Sequence, residues 1–303
     1  MIFDPTIFYN AYLDDYHKLK AITLKSILDD LDKYDKAFFG ERLTDEGRET
    51  YKKTLQADFR QTYFHAIETF FELFFALNPL NKDFMGDKNI MIALTHSNWR
   101  DSYKKINDIA TNEKALDFLD EEISMHNIKV SVGHYIFYYG ISDKQKLDAT
   151  FSEKLHASLE AIKQGIRFIA RDFVDREEYN CYKHGLRIIP ALKELSVVDL
   201  NTKEKHITWN LENSMSFFLR TNMDDEVKVV TKLFDPERDY QMTYFCSNAI
   251  SNMVYHRKIA FEKNKDPKAL MAIQFFGKEE VTACEKVNVE IQDLIFSAKR
   301  IKE

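Results

Sequence analysis

The sequence predicts a mainly α protein, a multi-helix bundle of about eight or nine helices with a small four-stranded antiparallel β-meander near residues 195–234. Only 8 Gly and 5 Pro occur in 303 residues, so few positions break a helix. The 24 Phe and 15 Tyr supply large side chains for a sizeable core. Apolar residues recur near helical spacing along most of the chain, which favours helices over a turn-rich sandwich.

The first two-thirds of the chain carries most of the predicted helices. Thr44, followed by Asp45 and Glu46, is a typical helix start, and Asn78-Pro79 a typical end, because the residue before proline resists the α conformation. Ser97 or Asn98 is a candidate N-cap that would shorten the third helix. Helices are predicted at residues 7–38, 44–77, 90–109, 113–124, 127–139, 150–171 and 174–192.

The pattern then changes from helical spacing to short strands separated by polar turns. Strands are predicted at 195–200, 206–210, 214–221 and 226–234, with a turn at 222–225. Two final helices are predicted at 236–262 and 278–300. We therefore expect a helical bundle over 1–193, a meander inserted at 194–235 and C-terminal helices at 236–303, all in one compact unit.

Composition and missing motifs narrow the function classes. The net charge of −6 gives no global basic field for nucleic acid, although a local patch is compatible with it. Three cysteines without paired spacing suit a reducing compartment. The sequence has no glycine-rich nucleotide loop and no Cys/His zinc spacing, so we predict no cofactor and no metal. A signal peptide and a spanning run are also lacking, so we expect a cytoplasmic protein without a membrane partner.

A first polar string interrupts the most apolar predicted helix, within residues 58–75. In a helix its polar residues fall at alternating spacings of three and four, which makes one stripe. Polar groups among phenylalanines need partners, and a cleft between helices would supply them. The stripe consists of Asp58, Gln61, His65, Glu68 and Glu72.

A second polar string, residues 179–187 (YNCYKHGLR), places Asn180, His184 and Arg187 on one helical face. It resembles the Arg-Asn-x-x-x-His motif of the HEPN superfamily, helical-bundle proteins that include many toxin and defence ribonucleases. Asn180, Lys183 and His184 stand at the motif's polar, variable and His positions, while Tyr179 occupies the Arg position. The resemblance implies RNA binding or a degenerate metal-independent ribonuclease, and a homodimer.

The first string contains a literal Arg-x4-His pair, Arg60 and His65. In the HEPN superfamily the His acts as acid, base or transition-state donor and the Arg holds the phosphate. The resemblance therefore implies His184 or His65 as the acid or base. By the same resemblance, Arg60, Lys183 or Arg187 would bind the phosphate.

These residues lead to the hypothesis of a polar cleft between the 44–77 and 174–192 helices. Asn180, His184 and Arg187 would face His65, Glu68 and Glu72 across it. If the cleft is catalytic, the protein cleaves RNA without metal; with Tyr179 at the Arg position, a non-catalytic binding role is the competing interpretation.

Two alternatives remain open from the sequence alone. The polar strings are also consistent with a non-enzymatic protein-interaction or structural protein, in which they bond neighbouring helices. A carboxylate and histidine metal site is the other alternative, from His65-x-x-Glu68 with Glu72 and from Glu153-x-x-His156.

Overall fold

The computed structural model of the chain is mainly α, as predicted. The structure describes residues 5–40, 42–82, 84, 86, 89–125, 128–139, 141, 149–174, 176–183, 187–190, 194–199, 202–210, 214–220, 226–233, 235–263, 272–285 and 293–299. The α-helices are α1 Pro5–Ala11, α2 Tyr16–Asp29, α3 Leu31–Phe39, α4 Asp45–Ala76, α5 Ile90–Thr95, α6 Trp99–Thr111, α7 Val132–Phe137, α8 Ala149–Val174, α9 Arg176–Lys183, α10 Pro236–Lys263 and α11 Lys278–Ala283. The strands are β1 Glu122–Met125, β2 Ile128–Ser131, β3 Ile188–Pro190, β4 Glu194–Val198, β5 Lys205–Asn210, β6 Ser214–Arg220, β7 Glu226–Leu233 and β8 Asp293–Lys299.

The chain divides into two compact units, each assembled from separate stretches of sequence. The first unit comprises residues 1–20, 64–174 and 241–285, and the second comprises residues 21–63, 175–240 and 286–303. The divisions fall inside α4, between Tyr63 and Phe64, and inside α10, between Tyr240 and Gln241. The predicted division at residues 193 and 235 stays a prediction.

The first unit has an aromatic core built around the second half of α4. Phe70 and Phe74 are fully buried, and their rings stack with centroids 5.6 Å apart. Phe137 of α7 stacks on both, at 6.4 Å from Phe70 and 6.0 Å from Phe74. Burying rings of this size is a large apolar contribution to stability, which explains why the phenylalanine-rich half of α4 is central.

The second unit combines a helical core with a sheet. Leu24 and Ile27 of α2 pack with Leu55 and Phe59 of α4 in one buried cluster. Gly40 ends α3 in the left-handed conformation (φ 75°), where a side chain would be strained. The sheet has the antiparallel order β3-β6-β7-β8, with a contact between α9 and β6.

The predicted four-stranded meander is wrong in its pairing. β4 and β5 form a separate two-stranded sheet, whereas β6 and β7 lie in the middle of the four-stranded one. Their outer partners are β3, which follows α9, and β8, near the C-terminus. A local pattern of alternation identifies strands but not distant partners, so the sequence did not indicate this sheet. The predicted turn at 222–225 lies outside the described residues.

Several predicted helices differ from the observed elements. The 44–77 helix is confirmed as α4 and the 236–262 helix as α10. The 7–38 segment is three helices instead of one, and the 90–109 segment is α5 and α6, divided where Asn98 caps the Arg100 N–H at 3.0 Å. The segments 113–124, 127–139, 174–192 and 278–300 were predicted as helix. They contain residues of β1, β2, β3 and β8, respectively.

No described helix combines the length and apolarity needed to cross a bilayer.

Candidate functional site

Arg60 is the centre of a buried charge network in the second unit. Its side chain is 8% exposed, and its Nε and Nη2 donate to the two carboxylate oxygens of Glu178 at 2.8 and 3.4 Å. Its Nη1 donates to Asp239 Oδ1 at 2.6 Å. The planar guanidinium is suited to this arrangement because its donors form a fixed fork. We call Arg60, Glu178 and Asp239 the Arg60 network.

Local structure explains why both carboxylates are here. Glu178 lies in the first turn of α9, and Asp239 lies in the first turn of α10. The first turn of a helix is electropositive and stabilises a carboxylate. α4 then brings Arg60 to both helix starts, so three elements far apart in sequence share one buried ion pair cluster.

Further charged groups surround the Arg60 network. Lys232 of β7 lies 3.9 Å from Glu178, and Arg238 lies 4.0 Å from Asp239. Tyr182 is buried beside them, and its hydroxyl has no hydrogen-bond partner among the residues described. Burial, followed by the nearby Glu178 carboxylate, raises the pKa of Tyr182 well above 10. Tyr182 is therefore a neutral phenol at physiological pH.

The Arg60 network has the properties of a structural ion-pair cluster. Buried charges are tolerated when they are paired and hydrogen-bonded, and Arg60 is bonded to two carboxylates. A phosphate would have to displace both carboxylates from the guanidinium. The sequence did not single out Glu178 or Asp239. The available signal was a second stripe on α4, Lys53, Gln56 and Arg60, whose members are all buried.

His65 has the opposite environment, because its side chain is exposed in the first unit. Its ring centroid lies 4.8 Å from that of His17 and 6.4 Å from that of Tyr16. Five residues separate Arg60 from His65, which on a regular helix is a rotation of about 140°. One face of α4 therefore buries the arginine while another exposes the histidine. We call the residues around His65, namely Tyr16, His17, Lys20 and Thr69, the His65 surface.

His17 is the buried member of this surface, and it is hydrogen-bonded to Thr69. The Thr69 hydroxyl donates to the His65 carbonyl at 2.9 Å, so the 3.0 Å contact between His17 Nε2 and Thr69 requires the imidazole to donate. His17 Nδ1 is buried without a hydrogen-bond partner in the described part of the chain. Burial, with the nearby His65 and Lys20, lowers the pKa of His17 to about 4. His17 is therefore neutral at pH 7 and, at 3% exposure, does not reach a ligand.

The remaining members of the first string lie on a half-exposed face of α4. Glu68 and Glu72 are both half-buried. Glu72 lines a cavity of about 420 Å³ in the first unit. The cavity is formed by α4, α5 and α6, and we call it the Phe75 cavity after the ring that lines it beside Glu72. Sequence reasoning placed Glu72 with His65, not with α5 and α6.

The second string is only partly within the described residues. Asn180 is half-buried on α9, and Arg187 is exposed just before β3. Lys183 is also exposed, and its Nζ lies 5.2 Å from the centre of the Tyr179 ring. His184 lies outside the described residues. Asn180, Lys183 and Arg187 belong to the second unit, whereas His65, Glu68 and Glu72 belong to the first, so the predicted shared cleft stays a prediction.

Metal-ligating groups are not clustered in the described ranges. Within them, no three or more His, Cys, Asp or Glu side chains are grouped closely enough to hold a metal ion. His156, from the Glu-x-x-His sequence on α8, is an exposed side chain.

Comparison with known proteins gives no relative from which a function could be transferred. No protein-family model matches the chain, and neither a curated protein nor a solved structure matches it.

Proposed function

We propose that the chain is a cytoplasmic, HEPN-like helical protein that binds single-stranded RNA at the His65 surface and does not cleave it. The observation that carries the proposal is the separation of Arg60 from His65. The arginine of the Arg-x4-His pair is bonded to Glu178 and Asp239 in a buried network, while the histidine is exposed.

Catalysis would need two groups that reach the substrate. RNA cleavage without metal requires an acid and a base, and a cation that stabilises the phosphorane-like charge. His17 is the ring nearest His65, but it is buried and neutral. Because Arg60 is bonded to two buried carboxylates, its guanidinium does not stabilise a phosphate bound at His65.

RNA binding needs fewer functional groups than RNA cleavage, and the His65 surface provides them. Tyr16 is 47% exposed and offers an aromatic face beside the His65 ring. Aromatic and histidine rings stack unpaired bases, and a nearby lysine attracts the phosphate backbone. Lys20 lies close enough to lower the pKa of His17. The net charge of −6 then restricts binding to a short local stretch of RNA.

The free cysteines support the proposed location. Cys181, Cys246 and Cys284 are all buried as free thiols, the usual state in a reducing compartment.

The test measures binding of a fluorescent single-stranded RNA oligonucleotide to the full chain. Fluorescence anisotropy reports the binding, and a chelator in the buffer removes metal ions. We expect intact RNA and salt-sensitive binding that Tyr16→Ala and His65→Ala each weaken by about fivefold to a hundredfold, the range for losing one stacked base. His156→Ala is the matched control, because His156 is an exposed histidine on a different helix, α8, and this variant should bind RNA like the unmodified chain.

Three results would overturn the proposal. Equal RNA affinity in His65→Ala and the unmodified chain would remove the His65 surface as the site, as would no binding at all. RNA shortened by the unmodified chain but spared by His65→Ala would replace binding with metal-independent cleavage.

A second candidate function is self-association through the N-terminal helices. In the first unit, Ile7, Leu13 and Leu19 are 58%, 74% and 58% exposed, and exposed apolar groups of this kind are typical of protein interfaces. The resemblance to the HEPN superfamily implies that the partner is a second copy of this chain. Sedimentation of the unmodified chain should show a dimer, and Leu13→Asp should dissociate it. Leu80→Asp, at a separate exposed leucine, should leave the dimer intact. A monomeric unmodified chain would contradict this candidate function.

A further inference from the structure

The Phe75 cavity has charges of opposite sign that the described residues leave unpaired. Its lining comes from three helices and their ends: Glu72 and Phe75 from α4, Ile92 of α5 and His96 directly after it, and Ser102 and Lys105 from α6. The members of each pair are three or four residues apart, so they lie on the same side of their helix. A volume of about 420 Å³ falls in the lower part of the range for small-molecule sites.

The negative charge is that of Glu72. Its carboxylate is half-buried and makes no hydrogen bond or ion pair with any residue in the described ranges. His96 adds an acceptor, because its Nδ1 contacts the Ile92 carbonyl at 3.0 Å. A carbonyl can only accept, so in the neutral ring Nδ1 carries the proton and Nε2 presents a lone pair. Both groups suit a ligand ammonium.

The positive charge is that of Lys105. The Asp101 carboxylate, one turn earlier on α6, pairs instead with Lys104 at 3.3 Å. Lys105 Nζ lies 5.3 Å from the centre of the Phe75 ring, its only contact with a charged or aromatic group in the part of the chain that the structure describes. Ser102 is 9% exposed, and its hydroxyl has no hydrogen-bond partner among those residues. An ammonium and a hydroxyl suit a ligand carboxylate.

We propose that the Phe75 cavity binds a free α-amino acid with a large apolar side chain. The ligand ammonium meets Glu72 and His96 Nε2, and the ligand carboxylate meets Lys105 and the Ser102 hydroxyl. The side chain packs on Phe75 and Ile92. Glu72 is half-buried and Lys105 is exposed at the edge of the cavity, and a zwitterion is a ligand class that neutralises both charges at once. The proposal is independent of RNA binding.

The experiment is isothermal titration of the full chain with L-phenylalanine and L-leucine. We expect saturable binding of at least one of them. N-acetyl-L-phenylalanine lacks the ammonium and L-phenylalaninamide lacks the carboxylate, so each should bind about ten- to a hundredfold more weakly than L-phenylalanine, as expected for losing one charged hydrogen bond. These analogues test both charges without altering the protein.

Variants test the same assignment from the protein side. Glu72→Gln and Lys105→Gln should each weaken binding about ten- to a hundredfold, while Lys104→Gln, at the neighbouring lysine that pairs with Asp101, should not. Equal binding of the acetylated or amidated analogue overturns the proposal, as does unchanged binding in either cavity variant. Lack of saturation by both L-phenylalanine and L-leucine also overturns it, whatever the result with RNA.

Discussion

At the scale of single residues, neighbouring polar side chains on α4 have different roles. Arg60 is held in a buried ion-pair cluster, and His65 is exposed five residues later. A polar residue on an apolar helix is therefore not sufficient to indicate a site. The burial of each side chain separates the structural group from the one that a ligand can reach.

The first prediction concerns the stability contribution of Arg60. Arg60→Ala leaves Glu178 and Asp239 as buried carboxylates without their guanidinium, so we expect a loss of about 3–5 kcal/mol in the free energy of unfolding. Urea denaturation followed by circular dichroism measures it. Arg42→Ala, at a 75% exposed guanidinium that pairs with Asp32, should cost at most about 1 kcal/mol. Similar losses in the two variants would contradict a structural role.

The second prediction is a pH dependence that comes from His17. Its pKa is about 4 in the folded chain and about 6.5 when unfolded. Between these values the unfolded state binds the proton and the folded state does not, so stability falls as pH falls from about 6.5 towards 4. Above about pH 6.5 this contribution is complete.

His17→Gln, whose amide can still donate to Thr69, removes that contribution. Thermal unfolding between pH 4 and 7 should therefore show a shallower decline for His17→Gln than for the unmodified chain. A decline also remains in the variant, because burial lowers the pKa of His134 to about 4 as well. His156→Gln is the control. If its pH profile and that of His17→Gln coincide, His17 does not titrate as described.

At the scale of elements, the Phe245 ring of α10 packs against α8 at Gly165. A β-carbon added at Gly165 would overlap the Phe245 ring. Helix propensity alone would favour alanine by about 1 kcal/mol. Overpacking costs about 1–3 kcal/mol, so we expect Gly165→Ala to lower the melting temperature.

Gly47→Ala is the matched control for that prediction. Gly47 lies in the first turn of α4, where an added β-carbon meets the Thr44 hydroxyl at 3.2 Å instead of a ring. We expect its melting temperature to stay the same or rise. A rise in Gly165→Ala similar to that in Gly47→Ala would show that α8 and α10 have room to separate.

Elements were predictable where their signal is local. α4 has an acidic first turn and ends before Asn78-Pro79, and its predicted bounds are confirmed. β8 was predicted as helix because its strand partner is far away in the sequence. It pairs with β7, where Glu226 lies opposite Lys299, and a local hydrophobic period does not reveal such a distant partner. The Arg60 network was not predictable for the same reason, since 118 and 179 residues separate Arg60 from its two carboxylates.

At the scale of the whole molecule, the composition was enough to predict the fold class. Few helix breakers and many phenylalanines gave a mainly α chain with an aromatic core. The candidate site was predictable only in part. The sequence identified His65, Glu72 and Arg60 as candidates. In the structure His65 is exposed, Glu72 lines the Phe75 cavity, and Arg60 lies in the buried Arg60 network.

Arg60 belongs to a buried ion-pair cluster that serves the fold, and we propose that His65 serves RNA binding. The most direct measurement compares His65→Ala with a triple variant, Arg60→Met, Glu178→Gln and Asp239→Asn, in which the buried charges are removed together and the fold can be retained. Both are mixed with end-labelled single-stranded RNA in chelator, and bound fraction and RNA length are recorded. We predict intact RNA throughout, affinity like the unmodified chain in the triple variant, and weaker binding in His65→Ala. RNA cleavage by the unmodified chain that is lost in both variants would contradict the claim.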